Sequence, residues 1–153
     1  MNESVGQEDK IEIRIPSRTG YEKVAMVVAE VIAQKMGMPE ARREDLSTAL
    51  SEAILNAMEH GNQMNEEQQV VVTFSLAADK LLVAVSDQGQ GFHPPEGMPN
   101  LEDKIEGNSP ARGWGWFLME QLVDQVEVVP SANGGTSVRL VVMLEGKVTQ
   151  TNG

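Results

Sequence analysis

The sequence predicts an α+β fold of two layers, in which helices pack on one face of a mixed, mostly antiparallel sheet. Five segments have the composition and length of strands, and three others have apolar residues at helical spacing. Short connections rich in turn-forming residues join neighbouring strands, as in antiparallel hairpins. We expect one domain, residues 10–145, between flexible tails 1–9 and 146–153.

The first two predicted elements are a strand and a helix. Residues 10–15 alternate polar residues with isoleucines, as in a half-buried strand that ends at Pro16. Residues 21–36 predict a helix that is closed by Gly37. The apolar residues at helical spacing in this segment are Val24, Val27, Val28, Val31 and Ile32.

A second helix is predicted from about Pro39 or Arg42 to Glu59, closed by Gly61. One face carries the apolar residues Leu46, Leu50, Ala53, Ile54, Ala57 and Met58. The other face carries Thr48, Glu52, Asn56 and Glu59. This helix therefore has a side for the core and a side that could carry chemistry.

The remaining elements are two hairpins and a short helix. Residues 70–76 and 81–86 predict the first hairpin, and residues 126–129 and 136–144 the second. Residues 93–112 have no periodicity, which predicts a long lid or binding loop. The short helix follows this loop at Gly115–Val123, with a predicted buried face of Phe117, Leu118 and Leu122.

Charge limits the partners that this chain can bind. It has 12 Lys and Arg against 23 Asp and Glu, a formal net charge of -11 that repels phosphate backbones and anionic lipid. We expect no direct binding to nucleic acid or membranes, and a protein partner with a basic surface. The absence of cysteine excludes disulfides and thiolate metal sites. Residues 1–9 lack the features of a signal peptide, so the expected compartment is the cytoplasm.

Glu52 and Asn56 are candidates for chemistry on the second helix. They are four residues apart, so their side chains lie close together and can serve one ligand. A carboxylate and an amide oxygen are the hard donors that Mg²⁺ accepts, and phosphoryl transfer needs a metal and a base. The alternative is an exposed Glu and Asn on an amphipathic helix.

Asp87 is a candidate for recognising a nucleotide base. It follows a predicted strand, and Gly89 and Gly91 beside it let the backbone close on a ligand. A carboxylate there accepts a hydrogen bond from the exocyclic amine of adenine, whereas guanine presents a carbonyl oxygen. The alternative is an ordinary turn at the end of a strand.

The sequence contains two further glycine pairs, of which the first is a candidate for contacts with a ligand. Gly113 and Gly115 are expected to precede the short helix, whose first turn offers amide hydrogens to anionic groups, and Arg112 adds a positive charge. Gly134 and Gly135 are best explained as a hairpin turn, after which Thr136 begins a strand.

Four segments in a fixed order resemble the nucleotide site of the GHKL ATPases, which have the Bergerat fold. They are Ser51–Ala57, Asp87–Phe92, Arg112–Trp116 and Gly134–Thr136. The chain is most similar to the bacterial anti-sigma factor serine/threonine kinases, from about residue 11 to residue 144. No P-loop sequence is present.

The resemblance implies a role for each candidate residue. Glu52 matches the catalytic base, Asn56 the magnesium ligand, Asp87 the residue that binds the adenine amine, and Thr136 a second adenine contact. The residues that would frame the ATP or ADP phosphates and the lid are Gly89, Gly91, Arg112, Gly113 and Gly115.

The resemblance also implies partners. Related kinases are homodimers that sequester a sigma factor or another regulator, and they phosphorylate an anti-anti-sigma antagonist of the STAS type. Two alternatives stay open: a nucleotide-sensing binding module without transferase activity, and an interaction protein with a relict pocket. Glu52 favours the enzyme over the sensing module.

Overall fold

The protein contains five β-strands and three α-helices within the ranges that the structure describes, residues 9–89, 111–131 and 134–145. This computed structural model describes side chains throughout those ranges except at 111–114. The elements are β1 (Asp9–Pro16), α1 (Glu22–Lys35), α2 (Glu40–Asn56), β2 (Gln69–Leu76), β3 (Lys80–Ser86), α3 (Ala111–Leu122), β4 (Gln125–Pro130) and β5 (Thr136–Met143). A single π-helical turn, Ala57–Gly61, follows α2. None of the helices in the described ranges is long and apolar enough to span a membrane.

The strands form one sheet in the order β1-β2-β3-β5-β4. Every pairing among these strands is antiparallel, including the two predicted hairpins β2–β3 and β4–β5. Val72 lies opposite Val85, and Val83 lies opposite Leu140, so apolar residues meet across the central strands. The predicted α+β organisation is confirmed.

The core lies between one face of the sheet and the helices. Alternate residues of the central strands are buried, with Phe74 the largest of the fully buried side chains. The whole predicted apolar face of α2, from Leu46 to Met58, is also buried. In β1, at the sheet edge, Ile15 is buried but Ile11 is exposed. Burial of these apolar surfaces is the main source of stability.

Helix α1 buries only part of the apolar pattern that indicated it, since Ile32 is buried and Val28 packs against the core. Ala25, Ala29 and Ala33 form a buried stripe, because small side chains let the helix pack closely. Three valines point outward: Val24 is 48% exposed, Val27 64% and Val31 50%. The spacing of the apolar residues predicted that α1 is a helix. Which face of the helix lies against the core depends on this packing of alanines.

Helix α3 begins at Ala111, four residues before the predicted start. Arg112 and Gly113 thus lie within the first turn, and the expectation that Gly113 and Gly115 precede the helix is wrong. Glycine costs about 1 kcal/mol in a helix, but packing against neighbouring elements outweighs this propensity. The predicted buried face is correct only in part: Leu118 is exposed, and Leu122 packs against the core. The fully buried residues of this segment are Trp116, Met119 and Val123.

Arg42 joins α2 to the end of α3 and to the sheet. Its Nη2 donates to Asp124 Oδ2 at 2.6 Å, and its Nη1 donates to the Leu122 carbonyl at 3.1 Å. Asp124 Oδ2 also accepts from the Met143 amide at 2.8 Å. Both charged side chains are largely buried, and the Arg42 guanidinium also pairs with Asp45 Oδ2 at 3.3 Å, so two carboxylates compensate its charge.

Asp124→Ala is expected to destabilise the fold by about 3 kcal/mol, because it removes the closer of the two carboxylates that pair with the buried Arg42 guanidinium and leaves only Asp45, at 3.3 Å. Urea denaturation monitored by circular dichroism measures this change in the free energy of unfolding. Glu12→Ala is the matched control, since Glu12 pairs with Arg14 on the surface and should change stability by less than about 1 kcal/mol. Equal losses in the two variants would contradict this role of the buried pair.

Candidate functional site

Asp87 is a buried carboxylate at the end of β3, with 1% of its surface exposed. Its Oδ1 accepts from the Gly89 amide at 3.1 Å, and its Oδ2 accepts from the Thr136 amide at 3.2 Å. The Asp87 amide donates to the Thr136 carbonyl at 3.0 Å. Backbone donors therefore compensate the burial of this carboxylate and fix its orientation.

Three glycines allow close contacts around Asp87: Gly61 and Gly135 approach Asp87 itself, and Gly89 approaches Gly61 and Asn62. A Cβ at Gly61 would lie 2.6 Å from the Asp87 Cβ, and one at Gly135 would lie 2.9 Å from the Asp87 carbonyl carbon. A Cβ at Gly89 would lie 3.0 Å from the Asn62 Cα. Any larger residue at these positions requires the surrounding backbone to move.

The π turn brings Gly61 against Asp87. The sequence predicted that the second helix continues to Glu59, whereas the α-helical part ends at Asn56 and the wider turn Ala57–Gly61 follows. Single π turns of this kind are frequent at functional sites. Sequence analysis assigned Gly61 as a helix stop and missed its contact with Asp87, because nothing in the local pattern distinguishes the two roles.

Glu52 and Asn56 lie one turn apart near the end of α2, as their spacing predicted. Glu52 is half-buried, and Asn56 is 4% exposed, which rules out the alternative of an exposed Asn. The Asn56 Nδ2 is buried and has no hydrogen-bond partner among the described residues. A buried amide donor without a partner costs free energy, and a bound ligand could satisfy it.

Helix α3 packs against the Glu52 carboxylate at Gly115. A Cβ at Gly115 would overlap Glu52 Oε1 and lie 3.0 Å from its Cδ, so glycine is needed for this approach. Burial raises the pKa of Glu52, and the negative charge of Glu59 raises it further. A carboxylate with a raised pKa is a stronger proton acceptor once it is ionised.

The predicted site residues fall into two groups joined by α2 and its π turn. One contains Glu52, Asn56 and Gly115, and the other contains Asp87, Gly89 and Thr136. Arg112 and Gly113 lie in the first turn of α3, where the side chain of Arg112 is not described. Gly91 and the predicted loop up to residue 110 lie outside the described residues.

The fold agrees with the comparisons to known proteins. Residues 15–142 match the family model described as a histidine kinase-like ATPase domain. The chain therefore belongs to this family, within which it resembles serine-protein kinases along most of its length.

Two relatives illustrate the extent of the similarity. Serine-protein kinase RsbW of Bacillus velezensis is 32% identical over 143 residues, which cover 91% of this chain and 88% of the relative. RsbW of Oceanobacillus iheyensis is 32% identical over 132 residues, or 78% of each chain. A crystal structure of the RsbU and RsbW domains of a Mycobacterium tuberculosis protein superposes with a TM-score of 0.64 at 21% identity, covering 89% of this chain and 32% of that one.

Glu52→Gln is expected to raise the melting temperature at about pH 8 by about 1–2 °C. Because the folded-state pKa is raised, ionising Glu52 costs stability above that pKa, and the neutral amide removes this cost. At about pH 4, below the ordinary glutamate pKa of 4.5, Glu52 is largely protonated and therefore neutral, like the glutamine that replaces it. The difference in melting temperature between the two proteins should then largely disappear. Calorimetric melting at both pH values measures it.

The control is Glu44→Gln, an exposed change on the same helix. It corrects for the general effect of removing one negative charge from an acidic protein. A Glu52→Gln stabilisation that persists undiminished at about pH 4 would contradict the assigned cause.

Proposed function

We propose that the protein is an ATP- and Mg²⁺-dependent serine/threonine protein kinase that acts as an anti-sigma factor in a partner-switching cascade. Its substrate is an anti-anti-sigma antagonist of the STAS type. The observation that carries this proposal is the juxtaposition of a half-buried Glu52, whose pKa is raised, with the buried and unpartnered amide of Asn56. The similarity to RsbW serine-protein kinases supports the same reaction.

Adenine selection is assigned to Asp87. The Asp87 carboxylate accepts hydrogen bonds from the Gly89 and Thr136 amides, and we propose that it also accepts one from the exocyclic amine of adenine. Guanine places a carbonyl oxygen in the same position, where it meets the negative charge. Thr136, which is buried beside Asp87, is the second adenine contact, and Gly89 and Gly91 border the base.

The residues beside Glu52 fit a magnesium–triphosphate group. Asn56 would hold Mg²⁺ through its amide oxygen, and its unpartnered Nδ2 would donate to a phosphate oxygen. When bound, Mg²⁺ neutralises charge on the phosphates. The Gly113 amide is among the first four of α3, which lack partners in a regular helix and can bind anions, with Arg112 adjacent.

Glu52 is the proposed catalytic base. Its carboxylate would accept the proton of the substrate hydroxyl as the serine or threonine oxygen attacks the γ-phosphorus, the bond from that phosphorus to the β–γ bridging oxygen breaks, and ADP leaves. The raised pKa suits this role, because a carboxylate with the ordinary pKa would bind the transferred proton more weakly. Gly115 keeps α3 close to the carboxylate and restricts its movement.

Partner binding is assigned to the acidic surface of the domain, which we place at residues 10–145. A net charge of -11 favours a protein with a basic surface and disfavours direct contact with nucleic acid or anionic membranes. A sigma factor is the proposed sequestered partner, and the cytoplasm is the proposed compartment of both proteins.

Homodimer formation is assigned to the outer face of α1, which we call the valine stripe: Val24, Val27 and Val31. All three are about half exposed or more, and Tyr21 and Ile11 nearby are exposed as well. Helix α1 contacts β1, whose outer edge is unpaired within the described sheet. Contiguous exposed apolar surface next to a free strand edge favours association with a second copy.

Glu52→Gln is expected to reduce phosphate transfer by at least about 100-fold while leaving the affinity for ATP within about threefold. Purified protein, Mg²⁺ and γ-labelled ATP are incubated with STAS-domain proteins from the same genome, and phosphoserine or phosphothreonine is located by mass spectrometry. Calorimetry measures ATP affinity in parallel, so loss of binding is distinguished from loss of chemistry.

Transfer that persists in Glu52→Gln would contradict the assignment of the base. Wild-type protein that binds ATP but transfers phosphate to none of these proteins would favour the nucleotide-sensing binding module. Absence of adenine-nucleotide binding in the presence of Mg²⁺ would leave only an interaction domain.

Val27→Glu is expected to weaken dimerisation at least about tenfold, because it places a charge in the centre of the valine stripe. Sedimentation equilibrium measures the dissociation constant. Leu118→Glu, an equivalent change at an exposed apolar residue of α3, is the control and should leave it unchanged. Wild-type protein that stays monomeric at about 100 μM would contradict the dimer itself.

A further inference from the structure

Asn62 is a buried polar residue that the proposed reaction does not use. It immediately follows the π turn and is 2% exposed. Its Nδ2 donates to Ser17 Oγ at 2.8 Å and to the Gln69 carbonyl at 3.1 Å. Its Oδ1 accepts from the Gln88 amide at 2.8 Å. Both amide hydrogens and the oxygen are thus used inside the protein.

These contacts join three separate parts of the fold. Ser17 lies between β1 and α1, Gln69 begins β2, and Gln88 follows Asp87 in the turn after β3. The Ser17 hydroxyl in turn donates to the Gln68 carbonyl at 2.8 Å. Asn62 therefore fixes the position of the Gln88 backbone relative to the rigid start of β2.

Two further hydrogen bonds hold Gln88 to Gln68 and Gln69, at the start of β2. The Gln88 Oε1 accepts from the Gln69 amide at 2.6 Å, and the Gln88 carbonyl accepts from Gln68 Nε2 at 3.3 Å. Together with the Asn62 contact, these bonds hold the backbone one residue beyond Asp87. Because the Asp87 carboxylate is oriented through Gly89 and Thr136, a shift of this turn changes where the carboxylate points.

We infer that Asn62 is a positioning residue for adenine selection, which holds the Asp87–Gly89 turn so that the carboxylate faces the exocyclic amine. This inference rests on the proposed adenine site. Asn62 does not contact the nucleotide in this account and acts through the Gln88 amide. Its loss leaves two partly buried groups, the Gln88 amide and the Gln69 carbonyl, without this partner, which favours rearrangement of the turn.

A purely structural role of Asn62 makes a different prediction. If Asn62 only stabilised the fold, its removal would lower the melting temperature and leave base selectivity unchanged. If Asn62 positions the turn, its removal must also change the preference for a base that carries the exocyclic amine. Inosine diphosphate (IDP) separates the two, because its base carries an oxygen where adenine carries the amine.

Calorimetric titration with ADP and IDP, in the presence of Mg²⁺, tests the inference on wild type, Asn62→Ala and Asn65→Ala. For Asn62→Ala we expect ADP affinity to fall about tenfold and IDP affinity to fall less than about threefold, so that the preference for ADP over IDP decreases. Asn65 is the matched control, because its side chain accepts only from the nearby Glu67 amide within the described network. Its variant should match wild type with both nucleotides.

Ser17→Ala is the second variant, in case Asn62→Ala does not fold. It removes one acceptor of the Asn62 amide and leaves the Gln88 contact in place, so a smaller decrease in the preference for ADP over IDP, about twofold, is expected. Unchanged selectivity in a folded Asn62→Ala, or in Ser17→Ala if the former does not fold, would overturn the inference alone. Wild-type protein that binds ADP and IDP equally would overturn the adenine site and, with it, the role of Asn62.

Discussion

The close approach of backbone segments around the buried Asp87 is the constraint on which the candidate site depends. The Asp87 carboxylate can be buried because amides of Gly89 and Thr136 donate to it. Those amides can reach it because Gly61 and Gly135 have no side chain to keep their segments apart. The end of β3, the start of β5 and the π turn are therefore fixed relative to one another by one carboxylate.

Helix α2 connects this constraint to the proposed chemistry. One of its faces is buried in the core, which fixes the helix on the sheet, and the other carries Glu52 and Asn56. Its π turn then delivers Gly61 to Asp87. Because α2 carries Glu52 and Asn56 and its π turn contacts Asp87, the base-binding end and the phosphate-transfer end keep a constant separation.

Local patterns predicted the strands, the hairpins and the core face of α2, because alternation and helical spacing report which side of an element is apolar. They did not predict features that depend on packing between elements. The alanine face of α1 is buried instead of three of its valines, and α3 extends through Gly113 and Gly115. Gly61 and Asn62 were missed for the same reason: their partners are Asp87 and Gln88, which lie about 26 residues further along the chain.

Calorimetric titration of wild type and Asp87→Asn with ATP and GTP, in the presence of Mg²⁺, tests the central claim most directly. A buried carboxylate at this position predicts that ATP binds at least about tenfold more tightly than GTP. Replacing it by an amide should weaken ATP binding and reduce that preference. Equal binding of the two nucleotides by wild type, or unchanged ATP affinity in a folded Asp87→Asn, would contradict the account.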